Sequence, residues 1–99
     1  MTEKQLNDLT KRASGLGFRQ GYEIANRTEI DVRTRKEDFV DMVLETVLNS
    51  LETTVFKSLS AELDQMNDAY PAFDSWKVFA DGVIQGAGEN FSDRTENQG

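Results

Sequence analysis

The chain has 99 residues, 18 of them acidic and 11 basic, for a net charge of -7, and it contains neither cysteine nor histidine. Disulfides, thiolate or imidazole metal sites, and Cys–His or Ser–His nucleophiles are therefore excluded within this chain. The length suits one small domain. No stretch approaches the ~18 apolar residues of a membrane span, and no apolar run of signal-peptide length follows Met1, so a soluble, cytoplasmic protein is expected.

Thr2, with Gln5 three residues on, fits a capping box. Leu6, Leu9, Ala13 and Leu16 then recur on one side of a helix, and Phe18, Tyr22, Ile24 and Ala25 carry an apolar face onward. The spacing predicts a helix over 3–26, with a bend at 14–17 where Gly15 and Gly17 fall. Residues 27–35 alternate around Ile30 and Val32. A lone strand cannot satisfy its own backbone, so an extended connector is expected, its two apolar side chains tucked against the helices. Thr34 and Glu37 suggest a second capping box, and Asp38 adds first-turn negative charge.

The run Phe39 to Leu48 is apolar over more than half its circumference, the pattern of a central helix. The apolar line continues through Leu51, Val55, Leu59, Leu63 and Met66. No Gly or Pro interrupts 36–68, but the Thr53-Thr54-Val55 cluster is a weak point and Ser58 or Ser60 suits a new cap. Two helices, 36–56 and 59–68, are favoured over one. The only proline, Pro71, marks a turn, after which Asp74 or Ser75 caps a last helix. Its apolar face is Trp76, Phe79, Ala80, Val83, Ile84, Ala87 and Phe91. Residues 92–99 read as a polar, disordered tail, leaving 1–91 as the domain. The expected fold is all-α, a compact bundle of about four helices, with Leu44, Val47, Leu51, Trp76, Phe79 and Val83 in its core.

Six of the seven glycines fall in the first and last helical segments: Gly15, Gly17 and Gly21, then Gly82, Gly86 and Gly88. An interior glycine costs a helix about 1 kcal/mol against alanine, so each needs a reason. The steps Gly17-x-x-x-Gly21 and Gly82-x-x-x-Gly86 clear grooves for a close backbone approach. They predict that the first and last helices cross closely, within one chain or between two. Gly15-x-Gly17 does not make a dinucleotide fingerprint, because position 20 is Gln and no strand precedes it.

Charge is divided along the chain. Residues 1–36 hold eight basic and five acidic side chains, whereas residues 37–99 hold three basic and thirteen acidic ones. The halves either complement each other in the folded monomer or leave an acidic surface aimed at a basic partner, including a protein that normally grips nucleic acid. Direct nucleic-acid binding is not expected, since Asp31, Glu37 and Asp38 flank the basic cluster Arg33, Arg35 and Lys36. Glu37, Asp41 and Glu45 share one helix side and Asp64 and Asp68 form another pair. Such carboxylates can hold magnesium or share a proton, but a solvated acidic face is the commoner meaning. No metal, cofactor or catalytic residue is assigned.

The segments Gly17-Phe-Arg-Gln-Gly-Tyr-Glu-Ile-Ala25 and Asp74-Ser-Trp-Lys-Val-Phe-Ala-Asp-Gly-Val-Ile-Gln-Gly86, separated by a helical middle, resemble those of small orphan proteins of bacteriophages and mobile elements. The resemblance implies a short, acidic, helical accessory protein. Inhibitors of host defence, including anti-CRISPR and anti-restriction proteins, are a prominent class of that kind and work by occupying a surface of a host protein. The expectation is a non-enzymatic inhibitor, located in the host cytoplasm. It would bind a basic host protein through Asp38, Asp41, Glu45 and Glu52 together with Glu62, Asp64 and Asp68. The alternative is a helical assembly or scaffold protein, homodimeric through Gly17, Gly21, Gly82 and Gly86.

Overall fold

A computed structural model describes residues 2–51 and 57–96. Four helices follow in order: α1 Glu3–Asn26, α2 Lys36–Ser50, α3 Lys57–Ala69 and α4 Ser75–Glu96. There is no strand among the described residues, and the connector 27–35 pairs with nothing as a strand. α2 ends at Ser50, short of the expected 56, and α3 begins at Lys57, ahead of the expected 59. The Thr53-Thr54-Val55 cluster that motivated the break lies outside the described residues.

α1 opens on the capping box. The Gln5 amide donates to Thr2 Oγ1 at 3.2 Å and the Thr2 amide to Gln5 Oε1 at 3.1 Å. The helix is continuous across Gly15 and Gly17. Its buried residues are Ala13, Gly17, Gly21 and Ala25, a stripe of small side chains every four residues. This stripe lies on α4, and the two helices form the main interface of the molecule. A β-carbon built on Gly17 would run into the Phe79 carbonyl, one on Gly21 into Val83, one on Gly82 into the Ser14 carbonyl and one on Gly86 into the Phe18 carbonyl. Every one of these obstacles is backbone. No described glycine has positive φ, so these four are required for the space they leave and not for their torsional freedom.

Gly15 differs. Nothing lies within 4 Å of where its β-carbon would be, and it sits exposed in mid-helix. Gly15→Ala is expected to raise stability by about 0.5–1 kcal/mol, seen as a higher melting temperature. A fall would mean that α1 needs flexibility at this point.

The C-terminus of α1 has no basic residue in its last turn. The positive charge that this helix end favours comes from the far end of the chain. Arg94 Nη1 donates to Ala25 O at 2.7 Å and to Thr28 O at 2.8 Å, while Thr28 Oγ1 donates to Ile24 O at 2.9 Å. This corrects the expected tail: α4 runs on through Glu96, so 92–96 is helical, and only 97–99 lie outside the described residues. Asn90, 1% exposed, lies beside Arg94 and reaches Asn26 Oδ1 at 3.4 Å. Arg94→Met keeps the aliphatic stem but removes the donors. It should cost about 1–3 kcal/mol, measured by urea unfolding; a change under about 0.5 kcal/mol would show that solvent caps these carbonyls equally well.

Two details of the connector depart from expectation. Thr34 does not cap α2, whose N-cap is Arg35 with no side-chain hydrogen bond. Its hydroxyl is already engaged, accepting from the Asp31 amide at 3.0 Å and donating to Asp31 Oδ1 at 3.1 Å. Ile30 is half-buried, but Val32 is fully exposed, because the Asp31–Thr34 turn points it outward.

α2 turns Phe39, Val40, Val43 and Val47 inward, followed by Leu51. Phe39 meets Phe91 of α4 with ring centroids 5.4 Å apart. α3 contributes Leu63 and Met66 and is tied to α4 by polar bonds. Ser75 Oγ, buried, donates to Leu63 O at 2.7 Å, and Trp76 Nε1 donates to Asp64 Oδ1 at 2.9 Å. Ser75 is thus a core residue, and Asp74 makes the cap by accepting from the Lys77 amide at 3.1 Å. Ser58 and Ser60 lie inside the first turn of α3. Of the expected core, Val47, Leu51, Phe79 and Val83 are buried, whereas Leu44 and Trp76 are only partly so.

Candidate functional site

Of the seven acidic residues singled out from sequence, the six that are described fall into two groups. Asp38, Asp41 and Glu45 project from α2 into solvent. Apolar residues claim the other side of this helix, which leaves the acids no inward direction. Glu52 lies outside the described residues. Glu62 and Asp64 belong to α3 and are engaged there, Glu62 in an ion pair with Arg12 of α1 and Asp64 by the Trp76 indole. Asp68 is exposed further along α3. α3 has no substantial interface with α2, so the carboxylates of the two helices make separate groups. No cluster of three carboxylates that could hold a metal ion occurs among the described residues.

The two ends of the chain complement each other only slightly. Among the described residues, one ion pair joins the basic amino-terminal part to the acidic remainder, Arg12–Glu62. The other, Arg19–Glu23, is a one-turn contact within α1. Glu37, Asp38, Asp41 and Glu45 take part in neither. The negative charge of α2 therefore remains directed at solvent, where it extends a field over about a Debye length, ~8–10 Å at physiological salt.

Beside this face lies a groove of about 570 Å³ between α1, α2 and α4. Its floor is the outward stripe of α4, Ile84, Gly88 and Ser92, at four-residue steps. Phe18 of α1 stands on one side and Val40 of α2 on the other. Phe18 and Ile84 are 39% and 40% exposed, more than large apolar side chains in a core would be. Glu37 and Asp41 line the α2 side and Glu89 the α4 side, against one cation, Lys36. The Lys36 ammonium donates to Ser92 Oγ at 3.2 Å and so ties α2 to α4.

Neither Phe18 nor Ile84 stands out in sequence as a surface residue. Both fit the apolar faces of their helices, and Ile84 was expected in the core face of α4. The signal that was present is breadth. The apolar residues of α4 cover more of its circumference than its contacts with α1 and α2 use.

At the edge of this region Tyr22 OH donates to Asp93 Oδ2 at 3.1 Å. The hydrogen bond to that carboxylate, with some desolvation, raises the Tyr22 pKa above its ordinary value, because ionisation would place two negative charges together. The bond joins α1 to the last turns of α4 and is structural.

Gly17, Gly21, Gly82 and Gly86 face one another inside a single chain. That surface is already filled and cannot serve a second copy, which removes the basis for a glycine-lined homodimer. No helix is long and apolar enough to cross a membrane among the described residues. No family model, curated protein or solved structure matches the chain.

Proposed function

We propose that the protein is a non-enzymatic binding protein that inhibits a host protein, of the phage-accessory kind that its sequence resembles, and that it engages a basic surface of its target through α2. The observation that carries this reading is that Asp38, Asp41 and Glu45 are all exposed on one helix and form no ion pair among the described residues. A local field of that sign accelerates encounter with a basic partner and repels nucleic acid and anionic lipid. A target that normally holds nucleic acid offers such a basic surface. The host cytoplasm is the compartment this reading requires.

The test is the double variant Asp41→Lys with Glu45→Lys. Folding should change little, because exposed charges contribute about 0–1 kcal/mol each. Tagged wild-type chain should retain a stoichiometric host protein from lysate, with an affinity that falls as salt rises. The double variant should bind that protein at least about tenfold more weakly, mainly through slower association. Equal affinity of both proteins at low and at high salt would remove α2 from the mechanism.

A further inference from the structure

We propose, building on the reading above, that the groove over α4 is the seat of an amphipathic basic helix of the partner.

The shape and chemistry of the groove select that occupant. Ile84 and Ser92 are eight residue steps apart on α4, so the floor is about 12 Å long at ~1.5 Å per step. That accommodates two turns of a second helix. The exposed parts of Phe18 and Ile84, with the edge of the largely buried Val40, give it apolar contacts for a stripe of side chains one turn apart on the incoming helix. Gly88 lies between the walls with no side chain of its own. A β-carbon there would meet only the Cε of Lys36, at 3.4 Å, so an incoming side chain reaches this part of α4 by displacing the flexible Lys36 side chain from Ser92.

Charge sets the sign of the partner. Carboxylates stand on both sides of the apolar floor, Glu37 and Asp41 on α2 and Glu89 on α4. A helix with an apolar stripe flanked by lysines or arginines pairs with both rims while burying the stripe.

The backbone disfavours an added strand. All lining elements are helices whose amides and carbonyls are bonded internally, so the groove offers no edge to a strand. A segment desolvated there must bring its own backbone hydrogen bonds, as a helix does.

The second groove, of similar volume between α1 and α3, is not equivalent. Its Arg12 and Glu62 neutralise each other, so it carries no comparable selection by charge.

The probe is a synthetic peptide of about 18 residues, ~27 Å when helical, made of leucine and lysine with the leucines on one helical side. It is titrated into the isotope-labelled full chain by NMR. The expected result is saturable shifts at Phe18, Val40, Ile84 and Gly88, with a rise in peptide helicity. A scrambled peptide of identical composition should bind at least about tenfold more weakly, since it lacks the apolar stripe. Gly88→Leu fills the floor at a position where an added β-carbon meets only the flexible Lys36 side chain, which the larger residue displaces. It should retain the wild-type circular dichroism and weaken the ordered peptide by a similar factor.

Equal binding of the two peptides would overturn the proposal. So would shifts confined to Asp38 and Glu45 on the outer side of α2, full affinity in Gly88→Leu, or no binding. The host target separates the two readings. If Asp41→Lys with Glu45→Lys releases the target but Gly88→Leu does not, the acidic face is the binding surface and the groove is not. If Gly88→Leu also releases it, the groove is the seat.

Discussion

Gly86→Leu is expected to lower stability by about 3 kcal/mol or more, even though leucine is the better helix former by nearly 1 kcal/mol. A β-carbon at position 86 would collide with the Phe18 carbonyl and lie 3.0 Å from the Tyr22 amide nitrogen. Both obstacles are main-chain atoms inside a regular helix, so neither can rotate away. Relief requires α1 and α4 to separate, and the rest of the core depends on that interface. Gly21→Leu meets the same obstacle from the other side, with the Val83 Cα 2.9 Å from the added carbon. For a domain of this size each kcal/mol moves the melting temperature by about 4–8 °C, so a drop of more than about 12 °C should be seen by circular dichroism. Gly86→Ala should also destabilise, in contrast to Gly15→Ala, where the added methyl enters open space. A rise in melting temperature for either leucine variant would show that the helices do not cross through their backbones.

Phe39→Ala is the second large effect. The ring is fully buried and packs against Phe91, 5.4 Å away, at the centre of the contact between α2 and α4. Removing a buried aromatic ring loses its transfer free energy and leaves a cavity, together about 3–5 kcal/mol. A small domain has about 5–15 kcal/mol in all, so the variant should unfold at a much lower urea midpoint with little change in slope. Its functional consequence follows from position. Val40, Glu37 and Asp41 reach the groove from the same helix, so the variant should weaken the partner by the fraction of chains it unfolds. A loss under about 1 kcal/mol would mean that the core closes around the missing ring.

Several properties of the molecule reside in short stretches of sequence. The capping box of Thr2 and Gln5, the turn at Pro71 and the Asp74 cap each depend on residues within one helical turn of each other, and local chemistry decides them. The close crossing was legible for a different reason. Glycines inside helices are costly, and two of them one turn apart in each of two helices have a compact explanation in a backbone contact. Whether that contact lay within one chain or between two was a matter for the tertiary structure, which closes it inside the chain. The exposure of Asp38, Asp41 and Glu45 was likewise legible, because strongly apolar residues claim the other side of α2.

Long-range geometry decided the rest. Thr34 carries a capping signature, but Asp31 takes its hydroxyl, and two hydrogen-bond motifs compete for one atom with nothing in the spacing to choose between them. Arg94 sits in a polar stretch with the composition of a tail. It is ordered because the carbonyl end of α1, 69 residues away in sequence at Ala25, lacks a positive partner of its own. Glu62 and Asp64 look like free surface charge until folding brings Arg12 and Trp76 to them. The groove is the clearest case. Phe18 and Ile84 each satisfy the periodicity of a buried face yet stay 39% and 40% exposed, whereas Val40 beside them is buried. Only the placement of three helices against one another determines which part of a broad apolar stripe is covered and which remains open to solvent, since helical periodicity encodes the direction of a side chain but not the neighbour that will meet it.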